Sequence, residues 1–196
     1  MPIRAKRILP EVGRIGARGR LLRALFATFA IGGTLAIAMG LRLGAVAVTP
    51  AYIVFALAGT VIAVYDIVRR KVPNWMVGPS TFIVGLLLLV ASTVDHRWGS
   101  MFRGCIAATV LVLAFATFAI AFRHGLGFGD VKLAGLIGLV MGYLSWHAVL
   151  LGSLFALAGA AVFASCLVVA GRTRYATMPF APFLILGAMI AICVVR

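Results

Sequence analysis

The chain has 196 residues, 64% of them hydrophobic and 11% charged, with a formal net charge of +14. A soluble domain of this length cannot bury so much apolar surface, which excludes a soluble globular class. The positive charge does not point to nucleic acid, because no aromatic-interleaved soluble module is present to carry such a function.

The apolar runs are continuous over about 20 residues, the length that crosses a bilayer core as a helix. They do not alternate as barrel strands do. The expected fold class is therefore all-α: a polytopic transmembrane helical bundle of about seven spans, with the lipid bilayer as its surroundings. Residues 1–20 form a basic tail, and residues 1–23 hold Arg4, Lys6, Arg7, Arg14, Arg18, Arg20 and Arg23. A first span at 21–41 is near full spanning length and reads as a retained helix rather than a cleaved signal peptide. With its connection it makes an extra unit, 21–47. The unit 48–196 holds six more spans, at roughly 48–66, 75–94, 104–122, 130–145, 147–170 and 180–195. The runs "FIVGLLLLVAS" and "CIAATVLVLAFATFAIAF" are the plainest. The fifth span, "LAGLIGLVMGYL", is short and glycine-rich and meets the sixth near Trp146. Glycine inside spans suits close helix packing.

Charge sets the orientation. With the N-terminus cytoplasmic, the cytoplasmic side holds the seven N-terminal basic residues plus Arg69, Arg70, Lys71, Arg123, Lys132, Arg172 and Arg174, and the far side keeps Arg42, Arg97, Arg103 and Arg196. That is 14 of the 18 basic residues against 4, a strong positive-inside bias. Trp75, Trp98 and Trp146 fall at span ends, as aromatic belts require. Cys105, Cys166 and Cys193 lie apart in apolar segments, so neither a disulfide framework nor a metal cluster is expected.

The chain has four acidic residues. Glu11 in the basic tail and Asp95 in "VDHRWGS" read as solvated. Asp66 closes the second span and Asp130 opens the fifth, so both lie at one depth on the cytoplasmic side. Acids at such depth face the protein interior or a wet cavity and mark function. Gly127 and Gly129 remove side chains just before Asp130, so that a substrate backbone can approach it. Asp130 occupies the first turn of its helix, where the dipole favours an anion, and Asp66 ends its helix, where the dipole disfavours one. Two carboxyls in unequal environments can share a proton, one acting as base on a water and the other protonating the scissile group. The residues alone leave other readings open. Asp66 can pair with Arg69, Arg70 or Lys71, and Asp130 can cap its helix or pair with Lys132. A proton- or ion-coupled transporter using both acids also fits, although acids at span ends rather than the midplane count against it. A structural membrane subunit gives no reason for either acid.

Two motifs go further. "DIVRRKVPN", from Asp66 to Asn74, and "GFGDVK", from Gly127 to Lys132, resemble the two signatures of the prepilin peptidases (type IV leader peptidases), which are G-x-G-D membrane aspartic proteases. Val72 stands where the family carries Ile, and Pro73 and Asn74 match. "MPFAPFLILGA" (178–188) resembles the family's Pro-Phe-Gly-Pro-Phe segment through Pro179, Phe180 and Pro182, with Ala181 in place of Gly. The "YD" and G-x-G-D pair is also similar to presenilin-type proteases, but the Val-Pro-Asn motif and small size favour the prepilin group. The likeness covers residues 48–195, and the two aspartates fall on the first and fourth of its six spans, as in the family. The long loop and paired Cys-x-x-Cys motifs of the bifunctional, methylating members are not found ahead of Asp66, so the chain looks like the short, peptidase-only type serving Tad-like pili.

The resemblance implies an aspartic endopeptidase of the bacterial inner membrane that cleaves the leader of pilin-like precursors at the cytoplasmic face, with Asp66 and Asp130 catalytic and with no metal or organic cofactor. Supporting roles remain open. Lys132 either holds an acidic substrate side chain or snorkels to the interface. Asn74 either bonds the scissile peptide or caps the third span, with Pro73 setting the entry turn. Arg69, Arg70 and Lys71 read as topology signals and His124 as an interfacial residue. Pro179 and Pro182 are expected to break the last helix and free backbone groups for an extended substrate. The sequence sets no oligomeric state.

Overall fold

The computed structural model describes residues 33–34, 37, 47–69, 72–121, 127–169 and 180–195. The basic tail and nearly all of the expected first span lie outside the described residues. From residue 47 onward the described chain is helical throughout. It forms α1 (Thr49–Arg69), α2 (Asn74–Val94), α3 (Trp98–Ala121), α4 (Phe128–Leu144), α5 (Trp146–Val169) and α6 (Ala181–Val194). Each expected span from 48 onward has its helix. The ends shift most at α1, which runs one turn past Asp66, and at α3, which starts at Trp98 rather than 104.

Four helices are long and apolar enough to cross a membrane: Thr49–Arg69, Asn74–Val94, Trp98–Ala121 and the Trp146–Cys166 part of α5. The protein is a polytopic helical membrane bundle. The other two helices are short, with 17 residues in α4 and 14 in α6. A 14-residue helix rises about 21 Å, well under a hydrocarbon core of about 30 Å. Both short helices are instead enclosed by protein. From Val131 to Tyr143 only Lys132 and Gly135 of α4 are not buried, and nine residues of α6 are buried.

Glycine puts α4 at the centre. A Cβ on Gly138 would lie 2.7 Å from the Ala108 Cα, and one on Gly142 would lie 2.5 Å from the Ala107 Cβ, so α3 and α4 touch backbone to backbone. Without a hydrophobic force between helices in lipid, such contact is what holds them. α5 and α6 meet in the same way: a Cβ on Gly187 would sit 2.5 Å from the Gly152 carbonyl oxygen. The outer faces are apolar. Phe82, Phe102, Ile120 and Leu150 are exposed, as lipid-facing side chains are. Trp75, Trp98 and Trp146 are exposed in the first turns of α2, α3 and α5, in keeping with an aromatic belt.

Hydrogen bonds from three helices converge on the last turns of α4. The Tyr52 hydroxyl donates to the Val140 carbonyl (3.1 Å), and the Ser92 hydroxyl meets the Tyr143 hydroxyl (3.3 Å). Arg103 donates from Nε to the Gly142 carbonyl (2.7 Å) and from an Nη to those of Tyr143 (2.7 Å) and Leu144 (2.9 Å). The sequence places Arg103 on the far side merely as a topology charge. In the fold it is half-buried within α3 and satisfies carbonyls that the end of α4 leaves unpaired. Its guanidinium complements the negative end of that helix dipole. Ser145 alone separates α4 from α5, and its hydroxyl accepts the Ala148 N–H (3.0 Å), capping the start of α5.

Candidate active site

The first aspartate is positioned by two helices. Asp66 lies one turn before the end of α1 and is only 4% exposed. Its Oδ2 accepts the main-chain N–H of Ala181 at 3.2 Å. Ala181 is the first residue of α6, so this N–H is one of the donors that a helix start leaves without a partner. The dipole of α6 favours an anion there. This corrects the expectation that Asp66 suffers from ending its own helix, because the neighbouring helix start supplies the opposite field. Nor is Asp66 held by an ion pair with Arg69, which is exposed.

Asp130 is the third residue of α4. Its Oδ2 accepts the Gly127 N–H at 3.3 Å, and its own N–H donates to the Gly127 carbonyl at 3.0 Å. The helix-capping alternative is therefore correct for Oδ2. It does not account for Oδ1, which is buried and has no hydrogen-bond partner among the described residues. A buried carboxylate oxygen left in that state is costly. Asp66 and Asp130 are also close enough for the charge of one to act on the other. Both carboxyls thus sit at helix starts, in similar rather than opposed helix-dipole fields.

The two glycines of the motif differ. A Cβ on Gly129 would lie 2.5 Å from the Val72 carbonyl oxygen and 2.8 Å from the Val72 Cβ. The first turn of α4 rests directly on the stretch that leads into Pro73. The expected substrate approach at Gly129 is therefore replaced by an approach of the chain to itself. Gly127 is exposed, and among the described residues a Cβ there would meet nothing closer than Asp130 Oδ2 at 3.6 Å, so the open side of the described motif is at Gly127. The arrangement links all three motifs: Val72 supports the turn that carries Asp130, and Ala181 holds Asp66.

Two carboxyls that feel each other's charge, one with a buried oxygen that has no partner among the described residues, can exchange a proton with a water and a polarised carbonyl. A model described as the type IV leader peptidase family matches residues 53–195, which include both aspartates and all three motifs. The chain belongs to the type IV leader peptidase family. As a leader peptidase it is a protease, and the transporter and structural-subunit readings lose their ground. No curated protein and no solved structure matches it.

The remaining motif residues of this leader peptidase are distributed unevenly. Pro73 is the cap residue before α2, with φ −78° and ψ 132°, and its carbonyl accepts the Met76 N–H at 3.1 Å. Asn74 is the first residue of α2 and is exposed, with no side-chain capping bond there, so its capping role is not found. Lys132 is exposed and forms no ion pair with Asp130 among the described residues. Phe180 caps the start of α6, and its ring lies 5.9 Å from that of Phe115. Pro182 does not break α6. It sits in the first turn, where a missing N–H costs nothing. The backbone donor freed beside it, at Ala181, goes to Asp66 rather than to an extended partner. Pro179, Arg70, Lys71, Arg123 and His124 lie outside the described residues. The described cysteines are free, and no metal-binding cluster is found among the described residues.

Sequence reasoning missed two contributors, Val72 and Ala181. Both act through main-chain atoms, so their side chains carry no chemical signal. Their positions inside the motifs were the available clue.

Proposed function

We propose that this leader peptidase is an aspartic endopeptidase that removes the leader of type IV pilin-like precursors at the cytoplasmic face of a bacterial inner membrane, with Asp66 and Asp130 as its catalytic pair. The observation that carries the reading is Asp130 Oδ1, buried and without a partner among the described residues, within electrostatic reach of the buried Asp66 carboxyl. The pair holds one proton between its members. The ionised carboxyl takes a proton from a water, whose oxygen bonds to the scissile carbonyl carbon. The other carboxyl gives its proton to the carbonyl oxygen. Collapse of the tetrahedral intermediate then breaks the C–N bond as the leaving nitrogen is protonated. This chemistry calls for no metal ion or organic cofactor. The 14 to 4 distribution of basic residues supports a cytoplasmic site and N-terminus.

The test is conversion of a pilin-like precursor to its shorter form, read by gel mobility and by mass spectrometry of the new N-terminus. Asp66→Asn and Asp130→Asn each abolish cleavage while the protein still inserts and folds, because the amide keeps size but cannot exchange a proton. Each single variant loses nearly as much as the double, as members of one catalytic unit do. Asp95→Asn cleaves normally. Substantial cleavage by either single variant removes the pair from the mechanism.

A further inference from the structure

α3 and α5 stand on either side of α4 and α6 and scarcely touch each other. Between them runs an apolar groove holding a cavity of about 170 Å³. Leu111 and Phe115 form the α3 wall, and Ser153 and Leu157 form the α5 wall. The floor is Ala134, Ile137 and Met141 of α4, with Leu184 and Phe180 of α6. Two features set this groove apart from lipid-facing surface. The floor leads to both aspartates: Asp130, Ala134, Ile137 and Met141 follow one another at helical spacing along one stripe of α4. On α6, Phe180 borders the groove, and the next residue holds Asp66. Second, its α5 wall faces outward: Leu157 is exposed, and the next turns of α5, residues 161–166, are exposed too, with the Phe163 ring set against Phe183 of α6. Among the described residues the groove is therefore open sideways into the bilayer along the part of α5 that runs toward the aspartate end.

We infer that this groove is the docking track for the apolar helix of the precursor, which enters sideways from the bilayer and delivers the segment beyond its end to Asp66 and Asp130. This rests on the protease reading above. The cavity is too small for a whole helix, about 10–12 Å across with its side chains. The occupant therefore lays a ridge of apolar side chains into the groove and keeps its other face in lipid, as helices in membranes pack. A membrane-embedded helix fits better than a soluble extended peptide, because the walls and floor offer one hydroxyl, that of Ser153, and no charged group.

The experiment uses the full chain in membranes with a pilin-like precursor. A photo-crosslinking amino acid is placed at Leu111, at Leu157 or, as a control, at Phe82, which is exposed on α2 away from the groove. The carrier is the Asp130→Asn variant, so that the precursor is not consumed. Crosslinks to the precursor are expected from positions 111 and 157 and not from 82. Separately, Ser153→Trp fills the groove. Its loss of kcat/KM on the full precursor should exceed its loss on a short soluble peptide spanning the cleavage point by about tenfold, equivalent to one apolar anchor of about 1.4 kcal/mol. Leu157→Trp repeats the measurement if Ser153→Trp does not fold. If wild-type protein cleaves the precursor but positions 111 and 157 crosslink no better than 82, the groove assignment is wrong and the protease reading stands. Adducts only to lipid, or only to a second copy of the chain, overturn it in the same way. If wild-type protein cleaves no precursor at all, the protease reading fails and the docking track falls with it.

Discussion

Gly129→Ala is a small perturbation with a large expected effect. The added methyl carbon would be placed 2.5 Å from the Val72 carbonyl oxygen, where ordinary contact begins at 3.4 Å, so something must move by 3.4 − 2.5 = 0.9 Å. The obstacle is backbone, and it leads straight into Pro73, whose ring restricts rotation. The first turn of α4 is the part that gives way, and Asp130 is the next residue along. Overpacking of this kind costs about 1–3 kcal/mol in stability, and displacing a catalytic group by about 1 Å costs about 100-fold in rate. The expected outcome is therefore a protein that still folds, with precursor cleavage down about 100-fold. The paired variant is Gly127→Ala. At φ −80° and with its nearest neighbour among the described residues at 3.6 Å, that site accepts a methyl group, and cleavage should stay within about threefold of wild type. Initial rates of precursor conversion and thermal unfolding in detergent measure both. Equal losses in the two variants, or a fully active Gly129→Ala, would refute the packing argument, because only the structure distinguishes these glycines.

Two further outcomes follow from the same contacts. Arg103→Met removes the donor for the carbonyls of Gly142, Tyr143 and Leu144 and should lower stability by about 1.5–3 kcal/mol, seen as a reduced unfolding midpoint; an unchanged midpoint would mean that those carbonyls find other partners. Ala181→Gly restores the family's residue and keeps the main-chain N–H that holds Asp66, so kcat should stay within about twofold. A collapse of kcat would show that the methyl group, not the N–H, positions the carboxyl.

Much of the architecture was legible because membrane helices satisfy their backbones locally. Run length alone located α2, α5 and α6 to within a few residues. The aspartates and their motifs stood out because charge is rare in this chain and each motif is contiguous. Local pattern could not rank the helices. The fifth span reads as short and glycine-rich, yet α4 is buried along nearly all of Val131 to Tyr143, because glycine lowers apparent apolarity while permitting close backbone contact. Arg103 looked like a loop charge because its partners lie some 40 residues away, at the end of another helix.

Composition and spacing by themselves determined the membrane class and the helices and singled out two of the four acids, since each depends on a residue and its near neighbours. The tertiary structure decided how those acids are held. Asp66 rests on the start of a helix 115 residues away in sequence, and the first turn of α4 rests on Val72. Both contacts are made by main-chain atoms. Every residue other than proline carries the same amide, so which one meets a carboxylate depends on where the helices lie rather than on which side chain the residue bears.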